Sequence, residues 1–211
     1  PGQSTRPDQI INSLGPGLSA LVRLWGGNPH YLGIARDNPE QVRQKLDAAT
    51  GFDLIVTIGG ASVGDHDHLR QVFDEMGGQL VFEKIAIKPG KPTWFGQLGT
   101  TRVLGLPGNP VSAIVMARLC LKPLMDALLA NPEDDAFLLA KLSAGLPANG
   151  PRETMMRAKL EAHTGKIASL DNQDSSALSA LNTANALIRR PAGAGAAAMG
   201  DTVEYLLLGD L

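Results

Sequence analysis

Asp53-Leu54-Ile55-Val56-Thr57-Ile58-Gly59-Gly60-Ala61-Ser62-Val63-Gly64-Asp65-His66-Asp67-His68 decides the fold. Its first part is an apolar, β-branched run of strand length. The residues after it, Leu69, Val72, Phe73 and Met76, recur with the spacing of one helix face. Strand, glycine turn, helix is the order, and in an open α/β sheet such a turn lies where ligands bind, at the carboxyl end of a strand. Gly59, Gly60 and Gly64 let the backbone approach a ligand, while Asp65 and Asp67 set carboxylates beside it. Exposed amides suit a phosphate and carboxylates repel one, so a cation between them would reconcile the two. Asp65 as a helix N-cap, with acidic first-turn neighbours, explains the same residues. Both readings stay open at this point.

Outward from this stretch, Asn12 to Trp25 has helical spacing and His30 to Ala35 reads as a short strand. Asn38-Pro39 supplies a cap and an N1 proline for a helix bearing Val42, Leu46 and Ala49. Leu80 to Ile87 alternates as a strand, resumed at Thr93–Phe95 and Arg102–Leu106. Asn109-Pro110 opens a long apolar helix to about Leu129. Strands alternating with helices predict a doubly wound, mostly parallel α/β sheet over 1–132. After Asn131-Pro132 the pattern changes to short strand-like segments at 137–142, 155–161, 166–170, 186–190 and 202–208, separated by glycines. That predicts a small all-β barrel or sandwich over 133–211.

Bulk properties narrow the function classes. The 211 residues carry a formal net charge of −2, so no broad basic surface for nucleic acid is expected. The single Cys120, among apolar neighbours, excludes an intramolecular disulfide framework and fits a buried thiol in a reducing cytosol. No apolar run reaches the roughly 18 residues that span a bilayer. The chain begins at Pro1, as a fragment or processed product would.

Three further clusters carry chemistry. Lys84, Lys88 and Lys91 fall within residues 83–92; on one strand Lys84 and Lys88 share a face, and a turn at Pro89-Gly90 presents Lys91. Ammonium groups so placed suit an oxyanion, and they also read as gatekeepers of a solvated edge. Leu106-Pro107-Gly108-Asn109-Pro110-Val111-Ser112-Ala113 is a strand-to-helix turn whose free amides suit an anion, or a well-capped structural turn. Arg152 and Arg157 flank a strand entry, where guanidinium forks fit oxyanions, though surface charges look the same. His66 and His68 lack a third partner at zinc spacing. Ser62 and Ser112 lack a Gly-x-Ser-x-Gly elbow, and no Gly-x-x-x-x-Gly-Lys-Ser/Thr is present.

Taken together, residues 59–67, Lys88-Pro89-Gly90-Lys91-Pro92 and residues 106–113 resemble the hallmark segments of the MoeA/gephyrin family of molybdopterin molybdenumtransferases, in order and at familiar spacing. Asp37 resembles an acidic residue of that family. Asp174-Ser175-Ser176, Ala184-Asn185-Ala186-Leu187-Ile188 and Gly200-Asp201-Thr202-Val203 resemble its C-terminal β domain. The resemblance implies a cytoplasmic, homodimeric enzyme of molybdenum cofactor biosynthesis. It would insert molybdate into adenylylated molybdopterin and release AMP, with magnesium.

By position, the resemblance makes Asp37, Asp67, Lys84 and Lys88 the active residues, Asp67 also holding the metal. It makes Gly59, Gly60, Ser62, Gly64, Asp65, Lys91, Pro107, Gly108, Asn109, Pro110 and Ser112 the molybdopterin and phosphate contacts. Arg152 and Arg157 become oxyanion contacts of the β domain. Family members carry two further domains and a strand ahead of residue 1, so the first sheet strand is expected to be missing and this chain alone to be inactive. An adenylyltransferase partner and recipient molybdoenzymes are implied, with no nucleic acid and no membrane. The alternatives are molybdopterin adenylyltransferase, which lacks the β domain, and a non-catalytic gephyrin-like scaffold.

Overall fold

The computed structural model describes residues 12–36, 38–60, 68–131, 137–174 and 179–209. Helix α1 (Leu14–Leu24) buries Leu14, Leu18 and Leu21 along one face. Helix α2 (Pro39–Ala48) starts as its sequence demands: the Asn38 side chain accepts from Glu40 N, and Pro39 occupies the first turn, where no intrahelical N–H is needed. Strand β1 (Leu54–Ile58) and helix α3 (His68–Glu75) follow. Then come β2 (Gln79–Phe82), β3 (Ile87–Lys88), β4 (Trp94–Leu98) and β5 (Thr101–Leu106).

Helix α4 (Pro110–Met116) runs through a π-helical turn, Ala117–Leu121, into α5 (Lys122–Leu128). The long helix expected after Asn109 is therefore present with a bulge ahead of Pro123. That proline has no N–H and its ring crowds the carbonyl one turn back; the wider π turn relieves both.

Four strands form the first sheet in the order β1-β5-β4-β2. β1 and β5 are parallel, whereas β4 is antiparallel to both β5 and β2, so three strands point one way and β4 the other. The sheet is doubly wound. Leu54, Val56, Ile58, Leu104 and Leu106 pack under α1 and α4 on one face. Ile55, Val103 and Trp94 pack under α2 and α3 on the other. This uninterrupted apolar run in β1 is what a strand covered on both faces requires.

Two expectations fail here. Residues 30–35 form no strand: the stretch is tied to α2 by side chains, with Lys45 Nζ donating to Leu32 O and Gln41 Oε1 accepting from Arg36 N, rather than by a ladder. The expected strand 80–87 is split. Phe82 ends its pairing with β4, Ile85 N donates to Lys91 O, and Ile87–Lys88 crosses to the other sheet. Lys84 and Lys88 therefore do not share a face of one strand.

The second sheet contains β6 (Leu138–Leu142), β7 (Glu153–Leu160), β8 (Lys166–Ser169), β9 (Ala186–Arg190) and β10 (Thr202–Leu207), with the short helix α6 (Ser179–Thr183) before β9. The order β7-β8-β6-β10-β9 closes through β7–β9 into a five-stranded barrel, and β3 adds to the outer edge of β7. Ala140, Leu142, Ala158, Ile167, Ile188 and Val203 fill it. A separate apolar layer, Val111 and Val115 against Met155, Leu187 and Leu208, joins α4 to the barrel.

Candidate functional site

Ile58 pairs with Leu106 in parallel register, so the turns that follow β1 and β5 leave the sheet at the same end. Gly59 N donates to Leu106 O at 2.9 Å. A Cβ on Gly108 would lie 3.5 Å from Gly59 Cα, so the two glycine turns touch backbone to backbone. Gly59 and Gly60 hold φ of 78° and 65°, a conformation that an L side chain resists. Beside them Asn109 caps α4 with its backbone carbonyl, which accepts from Ala113 N at 2.9 Å, and Pro110 occupies the first turn. Val111 and Ser112 are buried, Val111 against the barrel and Ser112 at 4% exposure, so the Ser112 hydroxyl is not offered at the surface.

The lysine loop comes to the same end. Trp94 pairs with Gly105 and Phe82 with Phe95, so residues 83–93 extend past the carboxyl end of β5. Ile85 N to Lys91 O, and Thr93 N and Oγ1 to Gly90 O, close the loop. Lys84, Lys88 and Lys91 are exposed; among the described residues Lys84 pairs with the solvated Glu83 at 3.2 Å, a pair of small energetic consequence. β4 and β2, which carry the two ends of this loop, lie two and three strand spacings from β1, so the sheet separates the Gly59 turn from the base of the loop by roughly 10–14 Å.

A cavity of about 610 Å³ runs along the edge of β1 that no described strand pairs. Leu18, Val22 and Met125 line its apolar end, and Thr57, Gly59, Gly60 and His68 its polar end. Across the sheet from Thr57, Gly105 has no side chain and the Trp94 indole lies in the space that a Cβ would fill. Arg70 stacks on that indole at 5.0 Å. Thr57 Oγ1, Trp94 Nε1 and Arg70 Nε are buried and have no hydrogen-bond partner among the described residues. Sequence reasoning missed this row. Its one signal was Gly105 inside a strand, which marks a close approach.

The two arginines part company. Arg157 is fully buried, and Nη2 donates to the carbonyls of Asn172 at 3.0 Å and Asp174 at 3.3 Å. Burial pushes its pKa down and the nearby Asp174 charge partly opposes that. It is a strut of the barrel rather than an exposed oxyanion contact. Arg152 is half-buried at the mouth of β7, and its guanidinium makes no hydrogen bond to the described residues. Burial pushes the Cys120 thiol up to about 11, so it stays protonated at neutral pH and is no nucleophile.

Asp37, Ser62, Gly64, Asp65 and Asp67 lie outside the described residues. Among the described residues no group of three His, Cys, Asp or Glu side chains could hold a metal, and no helix is long and apolar enough to cross a membrane. What the described residues offer at this end of the sheet is donors and cations.

Comparison with known proteins fits this arrangement. Residues 2–127 match the family described as a probable molybdopterin binding domain, and residues 139–208 match the MoeA C-terminal region, domain IV. A molybdopterin molybdenumtransferase of Bacillus subtilis is 30% identical over 206 residues, 96% of this chain and 48% of its own length. Molybdopterin molybdenumtransferase 2 of Mycobacterium tuberculosis is 32% identical over 198 residues, 90% and 49% of the two chains. The crystal structure of a molybdopterin biosynthesis moea protein from Pyrococcus horikosii superposes with a TM-score of 0.85 at 27% identity, over 100% of this chain and 51% of that one. The chain thus spans about half the length of the relatives it matches.

Proposed function

Because the chain belongs to the molybdopterin-binding domain family, with a MoeA C-terminal region behind it, we propose that the carboxyl end of its four-stranded sheet takes the anionic part of adenylylated molybdopterin. The reaction on this reading is molybdate insertion with release of AMP. One observation carries it: three segments far apart in sequence, Gly59-Gly60, the Pro107–Pro110 turn and the lysine loop, leave the sheet at one end. Glycine backbones give the ligand close access, and exposed ammonium groups offset the charge of a pyrophosphate and of incoming molybdate.

Asp37 and Asp67 belong to this proposal by resemblance alone, as does magnesium. Among the described residues no three His, Cys, Asp or Glu side chains could hold a metal ion. Arg152 is the arginine available to an oxyanion, whereas Arg157 is committed to carbonyls. No described strand pairs the outer edge of β1; on this reading the chain binds ligand, and turnover waits on the further domains and second subunit that the resemblance implies. The division into an α/β domain to 132 and a β domain from 133 is part of the proposal, with β3 crossing between them.

The test is calorimetric titration of the chain with inorganic pyrophosphate and with AMP at low ionic strength. Lys84→Ala, Lys88→Ala and Lys91→Ala are each expected to weaken pyrophosphate binding about 1.5- to 5-fold, the ~0.2–1 kcal/mol of an exposed ion pair, and the loss should shrink with salt. Lys166→Ala, on the barrel, is the control. Equal losses from Lys166→Ala, or none from the loop lysines, would refute the reading.

A further inference from the structure

We propose that the C-terminal barrel positions Lys88, through Asn149 and Thr154, for the ligand of the neighbouring domain. The anion-site reading supplies the consequence, but the structural claim stands on its own geometry. β3 is two residues long and among the described strands pairs with β7 alone, Ile87 against Glu153 and Lys88 against Thr154. Glu153 N donates to Ala86 O at 3.1 Å. In a parallel ladder of this register the Lys88 amide returns the bond to the Glu153 carbonyl. So short a strand has little geometry of its own, and the backbone of Lys88 is held on this side by the mouth of β7.

That mouth is held by a hydrogen-bonded hub. Thr154 Oγ1 donates to Asn149 Oδ1 at 2.8 Å. Asn149 Nδ2 contacts three carbonyls, those of Arg152 at 2.9 Å, Arg190 at 2.9 Å and Pro191 at 2.8 Å. Asn149 N donates to Ala194 O and Gly193 N to Gly150 O, while Arg190 Nη2 reaches the carbonyls of Pro147 and Gly195. Asn149 therefore ties the entry of β7 to the exit of β9. The barrel also grips α4, through the layer of Val111, Val115, Met155 and Leu187, and the π turn after it, through Arg118 Nε donating to Leu207 O at 3.0 Å. Gly90, two residues after Lys88, rests on Met116 of α4. Lys88 thus sits between two contacts that both lead back to the barrel. Asn149 and Thr154 are positioning residues: neither is needed to touch the ligand.

The experiment measures amide hydrogen exchange and pyrophosphate affinity on the 211-residue chain and its variants. Thr154→Val keeps the shape and removes the hydroxyl; Asn149→Asp keeps the shape and turns the amide donor into an acceptor facing three carbonyls. Each is expected to speed exchange of the Lys88 amide at least about tenfold, with Val56 and Val103 in the first sheet unchanged. Pyrophosphate affinity should fall as far as in Lys88→Ala, the Thr154→Val/Lys88→Ala double variant should be no weaker than Lys88→Ala, and Thr154→Ser should restore both readouts.

Unchanged Lys88 exchange, additive affinity losses, or Thr154→Ser behaving as Thr154→Val would each overturn the proposal. Should Asn149→Asp fail to fold, the threonine pair alone decides. If wild type does not bind pyrophosphate, the anion-site reading falls, and the exchange comparison still decides whether the barrel holds Lys88.

Discussion

Replacing Gly90 by alanine probes the joint between the lysine loop and α4. Gly90 has φ of +132°, a region essentially reserved for glycine, so an L side chain there costs about 1–3 kcal/mol in backbone strain. A Cβ would also overlap Sδ and Cγ of Met116, while Cε lies at 3.6 Å. The collision is with the inner part of a fully buried side chain rather than with a tip that can swing aside. Overpacking of that kind adds about 1–3 kcal/mol. The sum, roughly 2–6 kcal/mol, is a large share of the ~5–15 kcal/mol that holds a domain together.

At about 2–4 °C per kcal/mol for a chain of this size, Tm should fall by about 4–24 °C, read by circular dichroism, with the free-energy loss read by urea titration. A double-mutant cycle separates the two parts. Met116→Ala by itself opens a cavity worth about 2–5 kcal/mol. Combined with Gly90→Ala the cavity is partly refilled, so the double variant should be about 1–3 kcal/mol more stable than additivity predicts. A Gly90→Ala protein within about 0.5 kcal/mol of wild type, or strict additivity with Met116→Ala, would refute the reasoning.

Two other perturbations follow from the same structure. Arg157→Met should cost about 2–4 kcal/mol, because the carbonyls of Asn172 and Asp174 lose their buried donor, while leaving pyrophosphate affinity of the folded protein unchanged; a loss of affinity at full stability would return Arg157 to the site. The folded Cys120 thiol titrates near 11 against an ordinary 9.0, so the native state holds the proton across that window and stability falls as pH rises from about 9 to 11. The contribution is up to about 2–3 kcal/mol, and Cys120→Ala should remove it; an identical alkaline slope in both proteins would show that burial does not shift the thiol.

By itself the sequence determined the layers and where the glycine turns after the strands lie. The apolar run 54–58, the Asn38-Pro39 start and the glycine-separated strands after 137 reflect local rules: β-branched residues in covered strands, a capping side chain with an N1 proline, and a period of two. Those rules act over a few residues, so they could be read from a few residues. Partnership across the sheets could not. Residues 30–35 read as a short strand but found no ladder, because pairing is decided by which edge is adjacent in space.

Lys84 and Lys88 read as one strand face because they are four residues apart; only the tertiary structure showed that Phe82 stops at β4 and Lys88 crosses to β7. Arg157 and Arg152 are five residues apart and chemically identical, yet one is a buried strut and the other stands at the barrel mouth. Burial separates them, and it is fixed by what the rest of the chain packs against each residue. The row of Thr57, Trp94 and Arg70 was illegible for the same reason, since three residues on three elements meet only after β1, β4, β5 and α3 have assembled.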